Sequence, residues 1–413
     1  MHPPLDSARR TRNLALTALL FTAVLALCLS RDFYASSMQS IYLSLAIASA
    51  LIVLVILRRS VQDLMWVCAG ALTLVVIDYR IMKFPASLMS IFSFLGMAAL
   101  VVLGTRAIWA RGEDRKLLFY GFFPSVLFVA SEYMASTLLD ITEALHPKTF
   151  DLYLYSFDCS LHIQLSFLMG QIFVKHPWLY HASFLIYIAL PLPLALVYAA
   201  QLRRKTDTAL QTMLAFLVTG PIGVLFYNML PACGPAHMLR NFPWYPLTWS
   251  AAHHLPVFTI PISGARNAIP SLHMTWVLLV WWNSKHLPKW IRTIAMIFVI
   301  FTAMATLGTG EHYFVDLVVA FPFSLLVQSA CSYSLPFRTG ARRVAFLFGT
   351  FVTLFWFALL SFYTPIFWLS PLLPWGMIAA TIIPSVLLWH RLLGAKTKIE
   401  EPAVTLMAVG ASA

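Results

Sequence analysis

Two short stretches of the chain hold side chains that can do proton-transfer and nucleophilic chemistry. The first, "ARNAIPSLHMTW", runs from Ala265 to Trp276 and places Arg, Asn, Ser and His at the start of an apolar run. The second, "GTGEHYFVDLVVAF", runs from Gly308 to Phe321 and holds His312 and Asp316 four residues apart. Imidazole and carboxylate groups in such a setting can donate a proton, attack a phosphoester or bind a metal ion.

The spacing of His312 and Asp316 predicts that the two side chains touch. Residues four apart lie on the same face of a helix. A carboxylate bonded to one imidazole nitrogen fixes the tautomer and leaves the other nitrogen free to attack. Asp316 falls about one turn inside an apolar segment, where an unpaired carboxylate is costly, so His312 is its expected partner. A structural His–Asp pair that closes a helix end is the alternative.

The other stretch predicts a helix that begins at an anion-attracting end. Pro270 and Ser271 are typical of a helix start, with Ser271 as the N-cap and His273 in the first turn. The free N–H groups and the dipole of such an end attract phosphate. Arg266 adds a positively charged fork suited to a phosphate. The alternative is a capped helix with an interfacial His and a snorkelling Arg.

The composition predicts that both stretches lie in a membrane. Of the 413 residues, 60% are hydrophobic and 11% are charged, whereas a soluble domain carries about 25% charged residues. Lipid cannot satisfy open backbone groups, so the spans are expected to be helices and the fold an all-α polytopic membrane protein. Apolar windows of about 20 residues predict about 12 spans, at 13–30, 40–57, 62–78, 86–104, 117–137, 178–200, 209–230, 270–284, 292–308, 312–330, 343–361 and 371–392.

The distribution of positive charge predicts the topology. With the N-terminus inside, the inner segments hold 21 of the 28 Lys and Arg residues and the outer segments hold seven. Cytoplasmic loops carry this excess, so both termini are expected to be cytoplasmic. The net charge of +12 then follows from topology, and no nucleic-acid partner is expected.

The same topology brings the two stretches together. The eighth and tenth spans both start outside, so His273 and His312 are expected at similar depth at one outer mouth, with Arg266 nearby. This set favours phosphoryl transfer. A metal site is disfavoured because a cation pocket would not include an Arg, and no cofactor is expected. Outside enzymes, a multi-span transporter with a structural His–Asp pair is the main alternative.

Two outer segments are unusually long and are expected to cover the site. Residues 138–173 have a polar and an apolar half, which predicts a helix that lies on the outer face or dips into it. Residues 231–269 include Trp244, Tyr245 and Trp249, which suit a membrane interface. Cys159 and Cys233 fall in these segments, so a disulfide between them is one option. No CxxC spacing exists, and a Cys-ligated metal is not expected.

The paired motifs resemble those of the type 2 phosphatidic acid phosphatase superfamily. That superfamily carries Pro-Ser-x-His and, later, His-x-x-x-Asp. Here "PSLH" is followed, thirty-nine residues after its His, by "HYFVD". In the form found here, the two motifs are similar to those of the inositol phosphorylceramide synthase branch and its bacterial relatives. The segment "LPACGPAH", Leu230 to His237, is similar to a segment of the same branch. The resemblance covers roughly residues 117–330, or six spans.

The resemblance implies that His312 is the nucleophile, Asp316 its orienting partner and His273 the acid that protonates the leaving oxygen. Two departures bear on phosphate binding. The first motif region has no Lys, and Thr306 stands where the superfamily has Arg, six residues before His312. Phosphate is therefore expected to bind to other groups, namely Arg266, Asn267, Arg240, His237 and Ser271.

The sequence thus predicts a six-helix phosphatase-like core at 117–330, a four-helix extension at 1–116 and a two-helix extension at 331–413. The expected activity is metal-independent cleavage of a lipid phosphoester at the outer membrane face, through a phosphohistidine. The acceptor is water, or a soluble or lipid hydroxyl, to which a phospho-headgroup is transferred. The expected location is a bacterial inner membrane with the site on the periplasmic side.

Overall fold

The computed structural model describes residue 22 and residues 35–37, 40–58, 60–83 and 87–410. The first predicted span, 13–30, therefore lies outside the described residues except at residue 22. The N-terminal arginines that fix the predicted orientation lie outside them as well. The cytoplasmic location of the N-terminus stays a prediction.

The fold is all-α, as predicted. The helices of the described residues are α1 Ile41–Arg58, α2 Val61–Ile77, α3 Leu88–Trp109, α4 Gly112–Leu145, α5 Asp151–Ser160, α6 Leu165–Lys175, α7 Pro177–Ile188, α8 Pro191–Leu202, α9 Thr206–Met229, α10 Pro235–Met238, α11 Trp249–His253, α12 Leu272–Asn283, α13 Lys289–Gly308, α14 Phe314–Cys331, α15 Gly340–Phe362 and α16 Leu372–Gly410. Two short strands, β1 Lys148–Thr149 and β2 Ile260–Pro261, pair antiparallel and join the two long outer segments.

Most of these helices are long and apolar enough to cross a bilayer. Among the described residues nine helices qualify, and the number reaches eleven if two bent pairs each form one span. The pair α7–α8 bends by 47°, where Pro191 and Pro193 begin α8 and remove backbone donors. The chain is therefore an integral membrane protein.

The structure differs from the predicted spans at two places near the motifs. The outer segment 138–173 contains the bent pair α5–α6, whose axes differ by 85°, which is the geometry of a broken span or a re-entrant loop. Helix α12 has only 12 residues and is about 18 Å long, well short of a hydrocarbon core of about 30 Å. If Asn283 lies at the inner face, the polar start of α12 lies within the membrane.

The chain divides into two compact units. The first contains Met1–Ser136, Ile188–Met213 and His286–Ile294, and the second contains Thr137–Tyr187, Leu214–Lys285 and Ala295–Ala413. Every residue of the two motifs lies in the second unit. The division at 117 and 331 drawn from the sequence stays a prediction.

In the first unit, a buried carboxylate joins three helix ends. Helix α1 packs against α3 so closely that a Cβ added at Gly96 would lie 2.3 Å from the carbonyl oxygen of Ile47. Asp63, at the start of α2, is 1% exposed. Its Oδ2 accepts from Arg58 Nε at 3.0 Å and its Oδ1 lies 2.6 Å from Arg106 Nη2. Arg58 is the last residue of α1, and Arg106 lies in the last turn of α3.

In the second unit, α14 lies at the centre and most of its side chains are buried. It packs against α12, α15 and α16. The C-terminal helices also contact α5, because Trp356 and Phe367 pack edge-on against Phe157. Trp368 donates to Ser156 Oγ at 3.1 Å. The C-terminal segment is thus part of the framework around the motifs.

Asp63→Asn should destabilise the first unit. The substitution leaves two arginines without their counter-charge, which costs about 3–5 kcal/mol for fully buried pairs. Both arginines are about one third exposed, so we expect about 2 kcal/mol. The measurement is the unfolding temperature in detergent. The control is Glu113→Gln, which removes an exposed 3.9 Å pair with Lys116 and should change little. Equal unfolding temperatures for the two variants would contradict this assignment.

Candidate active site

The His312 ring is held by three neighbours that define its tautomer. Its Nδ1 lies 2.8 Å from the carbonyl oxygen of Ala268 and 3.4 Å from Asp316 Oδ2. A carbonyl and a carboxylate only accept, so the network assigns the proton to Nδ1. Nε2 is then the basic nitrogen, and it accepts from the hydroxyl of Ser271 at 3.2 Å. The ring, 2% exposed, therefore keeps its basic nitrogen beside a hydroxyl group.

Asp316 lies in the first turn of α14 and is fully buried. Its Oδ2 accepts the N–H of Tyr313 at 2.8 Å and faces His312. His312 itself lies just before the helix rather than on it, so the contact spans the helix start instead of following a helical face. Oδ1 of Asp316 has no hydrogen-bond partner within the described part of the chain.

Ser271 joins the two motifs. It is the N-cap of α12, and its Oγ accepts the N–H of Met274 at 3.4 Å. Its own N–H donates to the carbonyl oxygen of Asp316 at 3.2 Å. The start of α12 is thereby fixed to the first turn of α14, and the Ser271 hydroxyl reaches Nε2 of His312.

His273 lies in the first turn of α12 and contacts Tyr187. Its Nδ1 is 3.0 Å from the Tyr187 hydroxyl, and the ring centroids are 4.1 Å apart. His312 lies within electrostatic range of His273. Sequence reasoning missed Tyr187. The only sequence signal for Tyr187 was its hydroxyl in the apolar run "FLIYIALPLP", two positions before the break between α7 and α8 begins.

Two further carboxylates, Asp151 and Asp158, shape the backbone around His312 and were also missed. Asp151 accepts the N–H groups of Cys233 and Gly234, at 3.1 and 2.8 Å. Asp158 accepts those of Phe314 and Val315, at 2.7 and 3.3 Å. The signal was two acids in the apolar run "DLYLYSFD". The Asp158 carboxylate already occupies the first backbone N–H groups of α14. An anion that binds to a helix N-terminus at this site would therefore have to use the start of α12.

The "LPACGPAH" segment packs backbone to backbone against residues 309–313, the loop between α13 and α14 that holds His312 and is the candidate catalytic loop. The N–H of Ala236 donates to the carbonyl oxygen of Gly310 at 3.0 Å. Gly234 and Gly310 have φ of +117° and +77°, and a Cβ at Gly234 would lie 2.4 Å from the carbonyl oxygen of Glu311. Glycine alone fits this contact, so the segment's composition follows from its closeness to His312.

The structure gives Arg266 a full set of protein partners. The side chain is 1% exposed. Its Nε and Nη2 donate to the carbonyl oxygen of His146, at 2.9 and 2.8 Å. Its Nη1 contacts Cys233 Sγ at 3.2 Å and the carbonyl oxygen of Gly264. The guanidinium thus holds the outer segments together. Its predicted role in phosphate binding stays a prediction.

Of the other predicted phosphate ligands, Ser271 is buried, whereas Asn267, Arg240 and His237 are more accessible than Arg266. Asn267 is half-buried and Arg240 is exposed, and neither side chain has a hydrogen bond or ion pair among the described residues. His237 Nε2 lies 3.6 Å from Glu311 Oε2. The hydroxyl of Thr306 is bonded to its own helix, at 2.9 Å from the carbonyl oxygen of Thr302, so no cation replaces the superfamily Arg there.

The cysteines form no bridge in the described residues. Cys159 and Cys233 are both free and buried, so the disulfide option is not realised. Burial, together with the nearby Asp151, raises the pKa of the Cys233 thiol to about 12. Within the described ranges, no group of three or more His, Cys, Asp or Glu residues is placed to hold a metal ion.

A comparison of the chain with models of protein families found one match. An all-α membrane protein with a buried His–Asp pair beside a helix-capping Ser is consistent with a membrane phosphatase-type enzyme. Residues 152–330 match the family model described as the PAP2 superfamily, whose members are phosphatases and phosphotransferases. The match spans both motifs. No curated protein and no solved structure matches the chain. The narrower resemblance to inositol phosphorylceramide synthases stays a prediction.

Glu311→Gln should lower the pKa of His237. The contact with the Glu311 carboxylate raises this pKa above 6.5, although burial of His237 opposes the shift, and the pKa of Glu311 is lowered in return. The pair's stabilisation is therefore lost as pH rises through the raised pKa of His237 and as pH falls through the lowered pKa of Glu311. The rate at which diethyl pyrocarbonate modifies neutral His237, followed by peptide mass spectrometry against pH, gives its midpoint.

For this experiment, Asp140→Asn serves as the control, because Asp140 is exposed and is not among the groups that shift the pKa of His237. Its midpoint should equal that of the wild type. If Glu311→Gln also left the midpoint unchanged, the ion pair would not form in solution.

Proposed function

We propose that the protein cleaves a lipid phosphoester through a covalent intermediate on Nε2 of His312. The observation that carries the proposal is the hydrogen-bonding of the ring. Ala268 and Asp316 both accept from Nδ1, so Nε2 keeps its lone pair. Nε2 also faces Ser271 at the N-terminus of α12, where a helix end favours an anion. The PAP2 superfamily match supports phosphatase-type chemistry.

In the first half-reaction, Nε2 of His312 attacks phosphorus. A P–N bond forms, the P–O bond to the leaving group breaks, and its electron pair goes to the leaving oxygen. His273, which takes up a proton when the anionic phosphate binds beside it, gives that proton to the leaving oxygen. Because Nδ1 keeps its proton, the phosphorylated ring is cationic, and the buried carboxylate of Asp316 stabilises it. Ser271 releases Nε2 and is then free to donate its hydroxyl to a phosphate oxygen.

In the second half-reaction, a hydroxyl compound attacks phosphorus and gives its proton to His273. The P–N bond breaks and its electron pair returns to Nε2. Water as acceptor gives hydrolysis, whereas a lipid or polyol hydroxyl gives transfer. Both outcomes use the same residues, so the acceptor depends on which hydroxyl reaches the intermediate.

Tyr187 acts in this scheme as a positioning residue. Its hydroxyl is hydrogen-bonded to Nδ1 of His273. Nε2 of that ring is therefore the nitrogen that exchanges a proton with the leaving group and the acceptor. The ring contact at 4.1 Å restricts rotation of the imidazole. A fixed ring raises the effective concentration of the acid at the leaving oxygen.

The charges near the site favour a phosphodiester over a phosphomonoester. Arg266 is bonded to the protein, Thr306 supplies no charge, and the acids Asp151, Asp158 and Asp316 are buried near His312. A phosphodiester brings one negative charge to this site and a phosphomonoester brings up to two, so the diester needs less positive charge to balance it. A diester lipid would release its lipid alcohol and leave a phospho-headgroup on His312, ready for transfer to a hydroxyl.

The membrane orientation is part of the proposal. The excess of Lys and Arg in alternate segments supports an outward-facing site and cytoplasmic termini. In a bacterium this would be the periplasmic face of the inner membrane.

A second candidate nucleophile is Ser271. The order Ser271, His312 and Asp316 matches the arrangement of a hydrolase triad, since Oγ of Ser271 lies 3.2 Å from Nε2 of His312 and Asp316 faces Nδ1. His312 would then act as a base, and the intermediate would be a phosphoserine. Phosphoserine is stable in acid, whereas a phosphohistidine is a phosphoramidate and is acid-labile. The two mechanisms can therefore be separated chemically.

Wild-type protein mixed with ³²P-labelled donor lipid should carry an acid-labile, base-stable label. His312→Ala should carry none, because the covalent step has lost its nucleophile. Asp316→Asn should form the label roughly 10²–10⁴-fold more slowly, because the cationic ring loses its counter-charge. Rapid quench and gel autoradiography measure the label. His176→Ala, an exposed His outside the site, is the control and should match the wild type.

Three results would contradict the His312 mechanism. An acid-stable label that Ser271→Ala abolishes would identify the serine as the nucleophile. Full turnover by His312→Ala would indicate another reaction, and substrate flux that survives this change would favour a transporter. Loss of activity on chelation that zinc restores would indicate a metal site, whereas chelators should have no effect on the proposed mechanism.

His273→Ala should slow the first half-reaction most for poor leaving groups. An alkoxide needs a proton as it departs, whereas p-nitrophenolate is already stable as an anion. Tyr187→Phe should show the same dependence with a smaller loss, about tenfold, as expected for one hydrogen bond. The measurement is the rate of intermediate formation across a series of leaving groups. Tyr180→Phe, on the same helix, is the control. An equal loss for all leaving groups would assign Tyr187 a structural role only.

A further inference from the structure

A cavity lies at the bend between α5 and α6, outside the proposed catalytic groups. Its volume is about 350 Å³, within the range of ligand pockets. We name it the elbow cavity. Its lining residues come from the bend, from α6 and from the second outer segment: Cys159, His162, Ile163, Gln164, Phe167, Leu168, Gln171, Pro246, Leu247 and Trp249.

The polar groups of the elbow cavity hold its walls together. Gln164 Oε1 accepts from the Tyr155 hydroxyl at 2.9 Å, and Gln164 Nε2 donates to the carbonyl oxygen of Leu247 at 2.7 Å. The N–H of Leu247 donates back to the Tyr155 hydroxyl at 3.1 Å. Gln171 Nε2 donates to the carbonyl oxygen of Pro243 at 3.2 Å. These bonds leave few polar groups for a polar ligand.

Apart from His162 and Cys159, the rest of the lining is apolar, and it is open at its rim. Ile163 and Leu168 are 38% and 44% exposed, and Trp249 is 48% exposed. His162 stacks on the Trp249 ring with centroids 4.9 Å apart. Trp244 and Tyr245, close by in the chain, are exposed as well. Aromatic residues of this kind mark the level of lipid headgroups, so the rim faces the region where lipid chains begin.

A single helix separates the elbow cavity from the catalytic loop. Phe167 and Gln164 line the cavity and also a narrower space that includes Ser166 and Tyr313. Ser166 Oγ donates to the carbonyl oxygen of His312 at 2.9 Å. One face of α6 therefore contacts the residue that we propose as nucleophile, and the other faces the cavity.

We propose that the elbow cavity binds a hydrocarbon chain of the lipid substrate. This inference rests on the proposed function, because it assumes that a lipid phosphate is bound at His312. The side-chain amides of Gln164 and Gln171 are already bonded to protein groups, which argues against a sugar or polyol as ligand. The open apolar rim favours a hydrocarbon chain that enters from the bilayer. At about 30 Å³ for a group the size of water, the volume admits about a dozen groups. A chain segment of about ten to twelve carbons would fill it.

The kinetic test uses monoalkyl phosphodiesters whose chain grows by two carbons at a time, at fixed detergent. Each CH₂ that enters the cavity should raise kcat/KM about fourfold, up to about ten to twelve carbons. Leu168→Trp fills the cavity and should flatten this dependence, while turnover of a chainless p-nitrophenyl phosphodiester stays unchanged. Ile163→Trp is a second filling variant in case the first does not fold. Val174→Trp, on the same helix and 51% exposed but outside the lining, is the matched control.

A labelling test does not depend on catalysis. An alkyl chain that carries a diazirine, activated by light, should label the peptide containing residues 159–171 in wild type and Val174→Trp. It should not label this peptide in Leu168→Trp. Excess dodecanol should block the labelling, and sorbitol should not. Failure of wild type to turn over any phosphoester would reject the proposed function, whereas this labelling would still decide the cavity's ligand.

The proposal would be overturned if Leu168→Trp and Ile163→Trp kept the wild-type chain-length dependence and labelling. It would be overturned equally by sorbitol protection without dodecanol protection, which would identify a polyol site. Partitioning of long chains into detergent is the same for all variants, so only differences between variants count.

Discussion

The arrangement of the site depends on what occupies Nδ1 of His312. With a carbonyl oxygen at 2.8 Å and a carboxylate oxygen at 3.4 Å, that nitrogen must carry the proton, and the opposite nitrogen must be the basic one. Ala268 comes from the second outer segment and Asp316 from α14, so the tautomer is correct only when these two elements are in register. Ser271 enforces that register, because its N–H bonds to the Asp316 carbonyl while its Oγ meets Nε2.

Buried carboxylates are costly in an apolar setting, and the structure offsets that cost with backbone donors. Asp151 and Asp158 each accept two backbone N–H groups, and Asp316 accepts one. The first two have no direct contact with His312, yet they fix the loops on either side of it.

The sequence was informative where many residues contribute to one signal. Apolar runs predicted the helices, and the four-residue spacing predicted the contact between His312 and Asp316. The sequence was less informative about single side chains whose role depends on a partner that is distant in the chain. Arg266 has the charge for phosphate, but the carbonyl of His146, distant in the chain, takes two of its donors. Tyr187 gave no pattern at all, because a single hydroxyl in a span is common and only the fold brings it to His273. The length of α12 was overestimated because the apolar run begins at Pro270, before the helix itself.

In the function that we propose, helix α6 connects the binding of the lipid chain with the reaction at His312. In a lipid enzyme the scissile phosphate and the chains lie at different depths, so a protein that measures both needs an element that reaches from one to the other. The bend of 85° turns α6 so that Ser166 bonds to the carbonyl of His312 while Leu168 and Gln171, on a different face, line the elbow cavity. A chain bound in that cavity would press on the same rigid helix that supports the catalytic loop. Binding energy from the hydrocarbon chain, which does not react, could thereby align the phosphate that does react. Binding energy that is used in this way increases the rate of the chemical step.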